Sequence, residues 1–364
     1  MEISNIDTNF KISKTENNQL QKLYTLPHKD IALYGFCNNP TENRPDGTYF
    51  SRLPYELAKN ISYNMEVIST NTSGVRARFS TNSKFVTLTI KYKDLTKSSN
   101  MSLLCTSGFT LLEETEKGTE YAGMFLPDYK DLTGYTRKEN LRGDKVRNYI
   151  LYFPLYLDYI SEITLGFEEN AVVGKGKEYS YDKPILFYGS SLEHGGCASI
   201  SCNTYQSYIS EWNNIDFINL GFAGNALGEP EMAEFMSDIK SEIFIMSYDF
   251  NATEPIHLQK THYNVYKKYR EKNPDTPIVL VSAFYYRPER VKNGNSKFKV
   301  INQTYKRAIS EGDKNIYLVR GTKLWDNSLN GHCVVDGTHP SDIGFYHVAK
   351  GLNKVVKKIL SAKK

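Results

Sequence analysis

Two short stretches of this chain carry residue types that can do chemistry together. Near the C-terminus it reads Asp336-Gly337-Thr338-His339-Pro340, and far earlier Gly189-Ser190-Ser191. A carboxylate three residues before a histidine, on a glycine-containing loop, can hold one nitrogen of that imidazole. The other nitrogen can then take the proton of a serine hydroxyl, a poor nucleophile until a base removes it. Pro340 biases His339 toward extended backbone, which projects the ring. Ser191 as nucleophile, His339 as base and Asp336 as its orienting acid would make an acyl-transfer centre. Each stretch alone is a common loop, and Ser191 alone reads equally as a helix N-cap.

For the three to meet, the elements that carry them must end on one rim. From residue 184 onward, short apolar runs alternate with helical periodicity. PILFYG (184–189), DFINLG (216–221), EIFIMSY (242–248), IVLVSA (278–283) and NIYLV (315–319) read as strands buried on both faces of a parallel sheet. YQSYISEWNN, EPEMAEFMSDI, HLQKTHYNVYKKYREK, KVINQTYKRAISEG and IGFYHVAKGLNKVVKKIL between and after them read as helices. Five strands alternating with helices predict a doubly wound, three-layer α/β/α domain with its active site at the carboxyl ends of the strands. Ser191 follows the first strand, Gly224 and Asn225 the second, Asn251 the third, and Asp336 and His339 the last. The tetrahedral intermediate of acyl transfer needs hydrogen-bond donors at its oxyanion. The Ser191 and Gly224 N–H groups and the Asn251 side-chain amide are placed by this topology to supply three, although Asn251 also reads as a turn asparagine. His194 and Asn225 are candidates to line the substrate pocket, with helix-start and turn roles as their plain alternatives.

The preceding part of the chain has a different period. NMEVIST (64–70), GVRARFST (74–81), KFVTLTIKY (84–92), GFTLLEE, EYAGMFL, RNYILYFPLY and SEITLGFEE read as short strands with polar turns between them. They predict an antiparallel β-sandwich of jelly-roll type. The expected division is a polar lead over 1–30, the sandwich over 31–178 and the α/β domain over 179–364, with the Gly- and Lys-rich stretch 171–183 as the linker. Arg52 and Arg76 could reach a substrate from the sandwich, but surface or ion-pair roles suit them better.

The second half of the chain resembles the SGNH (GDSL-like) hydrolase superfamily over about residues 184–362. Its first block looks like Gly189-Ser190-Ser191-Leu192-Glu193-His194-Gly195, its second like Asn219 to Asn225, its third like Asp249-Phe250-Asn251 and its fifth like Asp336 to Pro340. The chain departs from that pattern at Ser190, where the family has aspartate, and around Asn251, where the leading glycine and trailing aspartate are missing. The run from Gly195 to Ser199 resembles a bacterial subgroup with an N-terminal β-sandwich, of whose Gly-x-Asp-Leu-Tyr signature Gly108-Phe109-Thr110-Leu111-Leu112 is a degenerate form. The resemblance implies a flavodoxin-like hydrolase domain and a serine esterase acting through an acyl-serine. It also implies small acyl esters, above all acetyl groups on carbohydrate, as substrates, and no cofactor. Lipase or lysophospholipase action, acyl transfer on the same triad, and a non-catalytic glycan-binding protein are the alternatives.

Bulk properties agree with a soluble enzyme of small substrates. The 364 residues have a net charge of +4 and no long basic block, so nucleic acid is not an expected partner. No apolar run approaches the ~18 residues of a membrane span. The polar N-terminal stretch has no apolar core of the signal-peptide kind. The cytoplasm is therefore the expected location, with secretion the alternative where a leader has been removed. The five cysteines have no paired spacing of the zinc-site kind, so no metal is expected. His332 and Cys333 read as structural, and Cys197 and Cys202 as free thiols unless the compartment is oxidising.

Overall fold

A computed structural model describes residues 20–37, 44–285, 287–325, 329 and 331–362. Fifteen strands occur among them: β1 (Gln21–Thr25), β2 (Ala32–Tyr34), β3 (Arg76–Thr81), β4 (Phe85–Tyr92), β5 (Phe109–Thr115), β6 (Gly118–Phe125), β7 (Gly134–Asn140), β8 (Arg147–Tyr152), β9 (Ile160–Glu168), β10 (Val173–Lys175), β11 (Ile185–Gly189), β12 (Phe217–Gly221), β13 (Ile243–Ser247), β14 (Ile278–Val281) and β15 (Ile316–Val319). The helices are α1 (Tyr55–Ile61), α2 (Tyr63–Ile68), α3 (Leu103–Ser107), α4 (Ser191–His194), α5 (Tyr205–Asn213), α6 (Pro230–Asp238), α7 (Pro255–Lys272), α8 (Val291–Ser310) and α9 (Asp342–Ala362).

The first ten strands form two antiparallel sheets. One has the order β1-β9-β4-β7; the other runs β10-β3-β8-β5-β6, with β2 also paired to β3. Alternate residues of facing strands, among them Phe79, Leu88, Leu111, Leu151, Leu165 and Phe167, point inward and are completely buried. Burying each such side chain contributes roughly 1.5–3 kcal/mol. This is the expected sandwich, with three local differences. Gln21–Thr25, within the stretch read as a lead, is an edge strand paired to β9; the rest of the lead up to residue 19 lies outside the described residues. NMEVIST is helix α2 rather than a strand, because the Ser62 hydroxyl caps the Met65 N–H and Met65 is buried beneath it. GYTRKEN, too polar to read as a strand, is β7, an edge strand whose charged side chains suit an unpaired flank.

The last five strands are all parallel, in the order β12-β11-β13-β14-β15. This is the flavodoxin-like order, and β11 sits at its switch point. The side chains of β11 alternate between two cores. Leu186 and Tyr188 pack with α6, α7 and α8 on one face, and Ile185 and Phe187 with α5 and α9 on the other. Three layers follow, as the alternating pattern predicts. No helix among the described residues is long and apolar enough to cross a membrane.

Sandwich and parallel sheet are joined by buried polar contacts. Arg76 pairs with Asp216 at 2.5 Å and donates to the Tyr179 hydroxyl at 2.7 Å, so the stretch read as a linker is docked. Arg52, between β2 and α1, is 1% exposed. It donates to the carbonyls of Ile68 (3.1 Å), Asn71 (2.7 Å), Asn219 (3.1 Å) and Gly221 (2.6 Å) and lies 4.5 Å from the centre of the Phe222 ring. No carboxylate among the described residues is within ion-pair distance of it. Burial pushes its guanidinium down to about 9, so the protein holds this cation with backbone dipoles instead of a counter-charge. Truncation to Arg52→Ala would take the guanidinium away from four carbonyls, of which that of Ile68 keeps the Asn71 N–H; each buried acceptor left without a donor costs about 1–3 kcal/mol. We expect the unfolding free energy to fall by at least about 3 kcal/mol, with Arg52→Lys recovering part of the loss. Urea denaturation followed by far-UV circular dichroism measures this, and a loss near zero would show that the seam does not depend on the guanidinium.

Candidate active site

Each candidate side chain hangs from the carboxyl end of a parallel strand. β11 ends at Gly189, and α4 starts at once. Ser190 is the N-cap, taking the Leu192 N–H on its hydroxyl while the Glu193 carboxyl receives the Ser190 N–H at 2.6 Å. The capping role therefore falls on Ser190, which frees Ser191 to point outward as the first helical residue. A side chain at Gly189 would overlap Glu193, and one at Gly196 would come within 2.9 Å of the His339 ring. These two glycines let the turn close and the imidazole approach.

Ser191, His339 and Asp336 form one hydrogen-bonded chain. The Ser191 Oγ lies 2.9 Å from His339 Nε2, and His339 Nδ1 lies 2.8 Å from Asp336 Oδ2. A carboxylate can only accept, so Nδ1 carries the proton and Nε2 accepts from the serine hydroxyl. The other oxygen of Asp336 receives the backbone N–H groups of Thr338 (3.0 Å) and His339 (2.9 Å). Partial burial disfavours the charged carboxyl, but the His339 N–H, the His339 ring and the Asn100 amide outweigh it and hold Asp336 well below the usual carboxylate range. Arg287 clamps the same loop from outside, donating to the carbonyls of Asp336 (2.5 Å) and Gly337 (3.1 Å). Ser191 is 9% exposed and stands beside the half-buried His339 and Asp336.

The oxyanion side is arranged differently from expectation. No acceptor among the described residues is bonded to the Ser191 N–H. The Gly224 N–H, however, donates to Asn251 Oδ1 at 3.1 Å. The Asn251 amide nitrogen donates to the carbonyls of Phe222 and Ala226, both at 3.0 Å. Two carbonyls on one side and an N–H on the other fix which end of that amide is which. Asn251 thus lies beside Gly224, as the topology requires, but its amide braces the loop of residues 222–226. Gly224 has φ +70°, and a Cβ there would meet open space, so this backbone faces the cleft. Asn225 turns its side chain back to the Ala223 carbonyl at 2.6 Å.

His194 is not on the cleft wall. It is completely buried, stacked on Tyr156 of the sandwich at 4.0 Å, with Nε2 donating to the Leu155 carbonyl at 2.8 Å. Burial, and then the Arg52 charge, keep its ring neutral. A helix-start histidine with helical spacing gives no hint that another domain packs on it, so the pocket role expected for it gives way to an interface role. Sequence reasoning also passed over Asn100, whose amide reaches Asp336 Oδ2 at 2.8 Å from the sandwich. Glu193, whose spacing from Ser190 suits the start of a helix, takes that place in the capping box and is a completely buried carboxyl two residues from Ser191. No spacing rule marks Asn100. All five cysteines are free thiols, Cys197 and Cys202 included. The donor atoms of Cys197, Asp336 and His339 lie within 4.8 Å of one another, but both nitrogens of His339 are engaged in the serine–carboxylate chain.

Comparison with known proteins matches two family descriptions to the two halves. The GDSL-like lipase/acylhydrolase family covers residues 182–357, and the N-terminal region of SGNH-type esterases covers 37–173. No curated protein matches the sequence. Among solved structures the chain is similar to a protein described as a GDSL-like lipase from Bacteroides ovatus, at 24% identity and TM-score 0.83, over 93% of this chain and 98% of that one. It is similar to the salicylyl-acyltransferase SsfX3 of a tetracycline biosynthetic pathway, at 17% identity and TM-score 0.74, over 91% and 95%. A third is the acetyl xylan esterase Est2A from the rumen bacterium Butyrivibrio proteoclasticus, at 11% identity and TM-score 0.59, over 93% and 99%.

The buried Glu193 gives a pH signature. Burial pushes its carboxyl up to about 8, against the donors from Ser190 and Tyr205 that favour the anion. The folded state therefore keeps a proton that the unfolded chain releases near 4.5. Stability contributed by this group is present at low pH and is lost as pH rises from about 4.5 to about 8. Glu193→Gln, which stays neutral, is expected to flatten that decline. Urea unfolding at pH 5 and pH 8.5 for both proteins checks it; parallel pH profiles would contradict the assignment.

Proposed function

Because the chain belongs to the GDSL-like lipase/acylhydrolase family and is a serine esterase, we propose that it removes small acyl groups, above all acetyl, from carbohydrate, with Ser191, His339 and Asp336 as its triad. The observation that carries this reading is the unbroken hydrogen-bond chain from Ser191 through His339 to Asp336 at the carboxyl rim of the sheet. The Ser191 Oγ attacks the ester carbonyl carbon while its proton passes to His339 Nε2. Asp336 holds the ring and stabilises the imidazolium. The oxyanion meets the Ser191 N–H first. The Gly224 N–H joins it by leaving the neutral Asn251 oxygen, because a hydrogen bond to an anion is roughly twice as strong as one to an amide. Collapse breaks the bond to the alcohol, which leaves with the proton from His339, and the acyl group stays on Ser191. His339 then draws a proton from water, whose oxygen attacks the acyl carbon; collapse breaks the bond to Ser191 Oγ, which takes the proton back from His339, and the carboxylic acid is released.

The choice of a carbohydrate ester is supported by the fold shared with the acetyl xylan esterase and with a family two carbohydrate esterase from Clostridium thermocellum solved with cellohexaose, at TM-score 0.60. Likeness to the salicylyl-acyltransferase over both halves keeps acyl transfer to an acceptor other than water as the second reading.

The proposal predicts that the protein hydrolyses p-nitrophenyl acetate and acetylated xylo- or cello-oligosaccharides faster than aryl esters of long acids. Ser191→Ala should lower kcat by at least about 10³-fold. Turnover by that variant at the wild-type rate would sink the mechanism. A preference for octanoyl over acetyl esters would sink the substrate. Acetyl transfer to added sugar outrunning hydrolysis would select the acyltransferase reading.

A further inference from the structure

We propose that Asn100, carried by the sandwich, is a positioning residue for Asp336 and through it for the Ser191–His339 pair; this rests on reading those three residues as the triad. Asn100 lies on the loop between β4 and α3. Its amide nitrogen donates at 2.8 Å to Asp336 Oδ2, the same oxygen that receives His339 Nδ1. The orientation of the amide is set, because its own oxygen accepts the Ser98 hydroxyl at 2.6 Å. The other protein donors to the Asp336 carboxyl come from its own loop, the N–H groups of Thr338 and His339 and the His339 ring. Those three hold the carboxyl to its own loop alone, so that carboxyl, imidazole and loop can shift together. A fourth donor, anchored on another sheet, stops that shift in the position that aims Nε2 at Ser191.

The loop that carries Asn100 is itself tied down beside the nucleophile. The Asn100 carbonyl accepts the Cys197 thiol at 3.3 Å, and the Ser102 hydroxyl donates to the Ser199 carbonyl at 3.1 Å. Cys197 stands three residues after α4 with φ 71°, a left-handed conformation uncommon outside glycine that turns its thiol toward this loop. Burial, then the Asp336 charge, push that thiol up to about 12, so it stays a donor. Asn100 is exposed, and water could satisfy its amide. Its place against Asp336 is therefore not imposed by burial, and it can be replaced without opening a cavity.

The test uses the full chain and p-nitrophenyl acetate. We expect Asn100→Ala to lower kcat about fivefold, the scale of one partly exposed hydrogen bond to a charged group, with KM and melting temperature unchanged. Asn100→Asp has the same shape but sets a carboxylate against Asp336, so it should lose more than Asn100→Ala. The groups facing this site are Asp336, His339, the Cys197 thiol and the Arg287 guanidinium. A further negative charge among them favours the imidazolium, so the acidic limb of kcat/KM should move to higher pH in Asn100→Asp. In an Asp336→Ala background, Asn100→Ala should have no further effect on kcat, whereas a merely structural role would remain additive. Unchanged kcat in both variants, a change in KM alone, equal losses in both, or additivity with Asp336→Ala would overturn the proposal. Ser191→Ala runs alongside: if it retains turnover the triad reading itself fails, and if it is dead while the Asn100 variants match wild type, only this inference fails.

Discussion

A guanidinium with no carboxylate partner is closed into the seam between sandwich and parallel sheet, and the cleft depends on it. The Arg52 guanidinium donates to carbonyl oxygens and lies on the face of Phe222, with the neutral His194 ring beside it at 3.5 Å. Two of those carbonyls, Ile68 and Asn71, belong to the end of α2 and the turn that leads into β3 of the sandwich. The other two, Asn219 and Gly221, close β12 and start the loop that carries Gly224. Removing a cation from water is costly, and only a full set of well-placed dipoles offsets it. The arrangement therefore exists only when both halves are folded and in register. His194 repeats the theme on the nucleophile side, since its stacking on Tyr156 fixes α4 against the sandwich.

The two ends of the site differ in readiness. At the base end every group is already aligned, with both oxygens of Asp336 occupied and His339 within reach of Ser191. At the oxyanion end Gly224 and Asn251 satisfy each other, and only the Ser191 N–H stands open. A loop whose polar groups are internally paired is stable without substrate, and in the proposed mechanism the developing negative charge redirects the Gly224 N–H. Asn251 then acts as the brace that keeps Gly224 in its left-handed conformation, with its amide committed to Phe222 and Ala226.

What could be read from the sequence was whatever repeats. Period-two runs located most of the sandwich strands, apolar runs located all five parallel strands, and the strand ends placed Ser191, Gly224, Asn251, Asp336 and His339 on one rim. Polar composition hid β7, because an edge strand needs few apolar residues, and Val67–Ile68 disguised α2 as a strand. Side-chain direction was beyond reach. Nothing in the spacing tells whether the Asn251 amide faces the cleft or its own loop, or whether His194 lines a pocket or an interface. Contacts between distant segments were equally silent: Asn100 and Asp336 are 236 positions apart, and a single asparagine in a turn carries no periodic signal.

The proposed route places an acyl group on Ser191 in every turnover. Its most direct test is intact-protein and peptide mass spectrometry of samples acid-quenched during the first turnovers with p-nitrophenyl acetate. One acetyl group on the peptide that contains Ser191, appearing with a burst of p-nitrophenol and decaying at the turnover rate, is the predicted result. A burst with the acetyl group on another side chain, or turnover with no protein-bound acetyl at any quench time, would contradict the account.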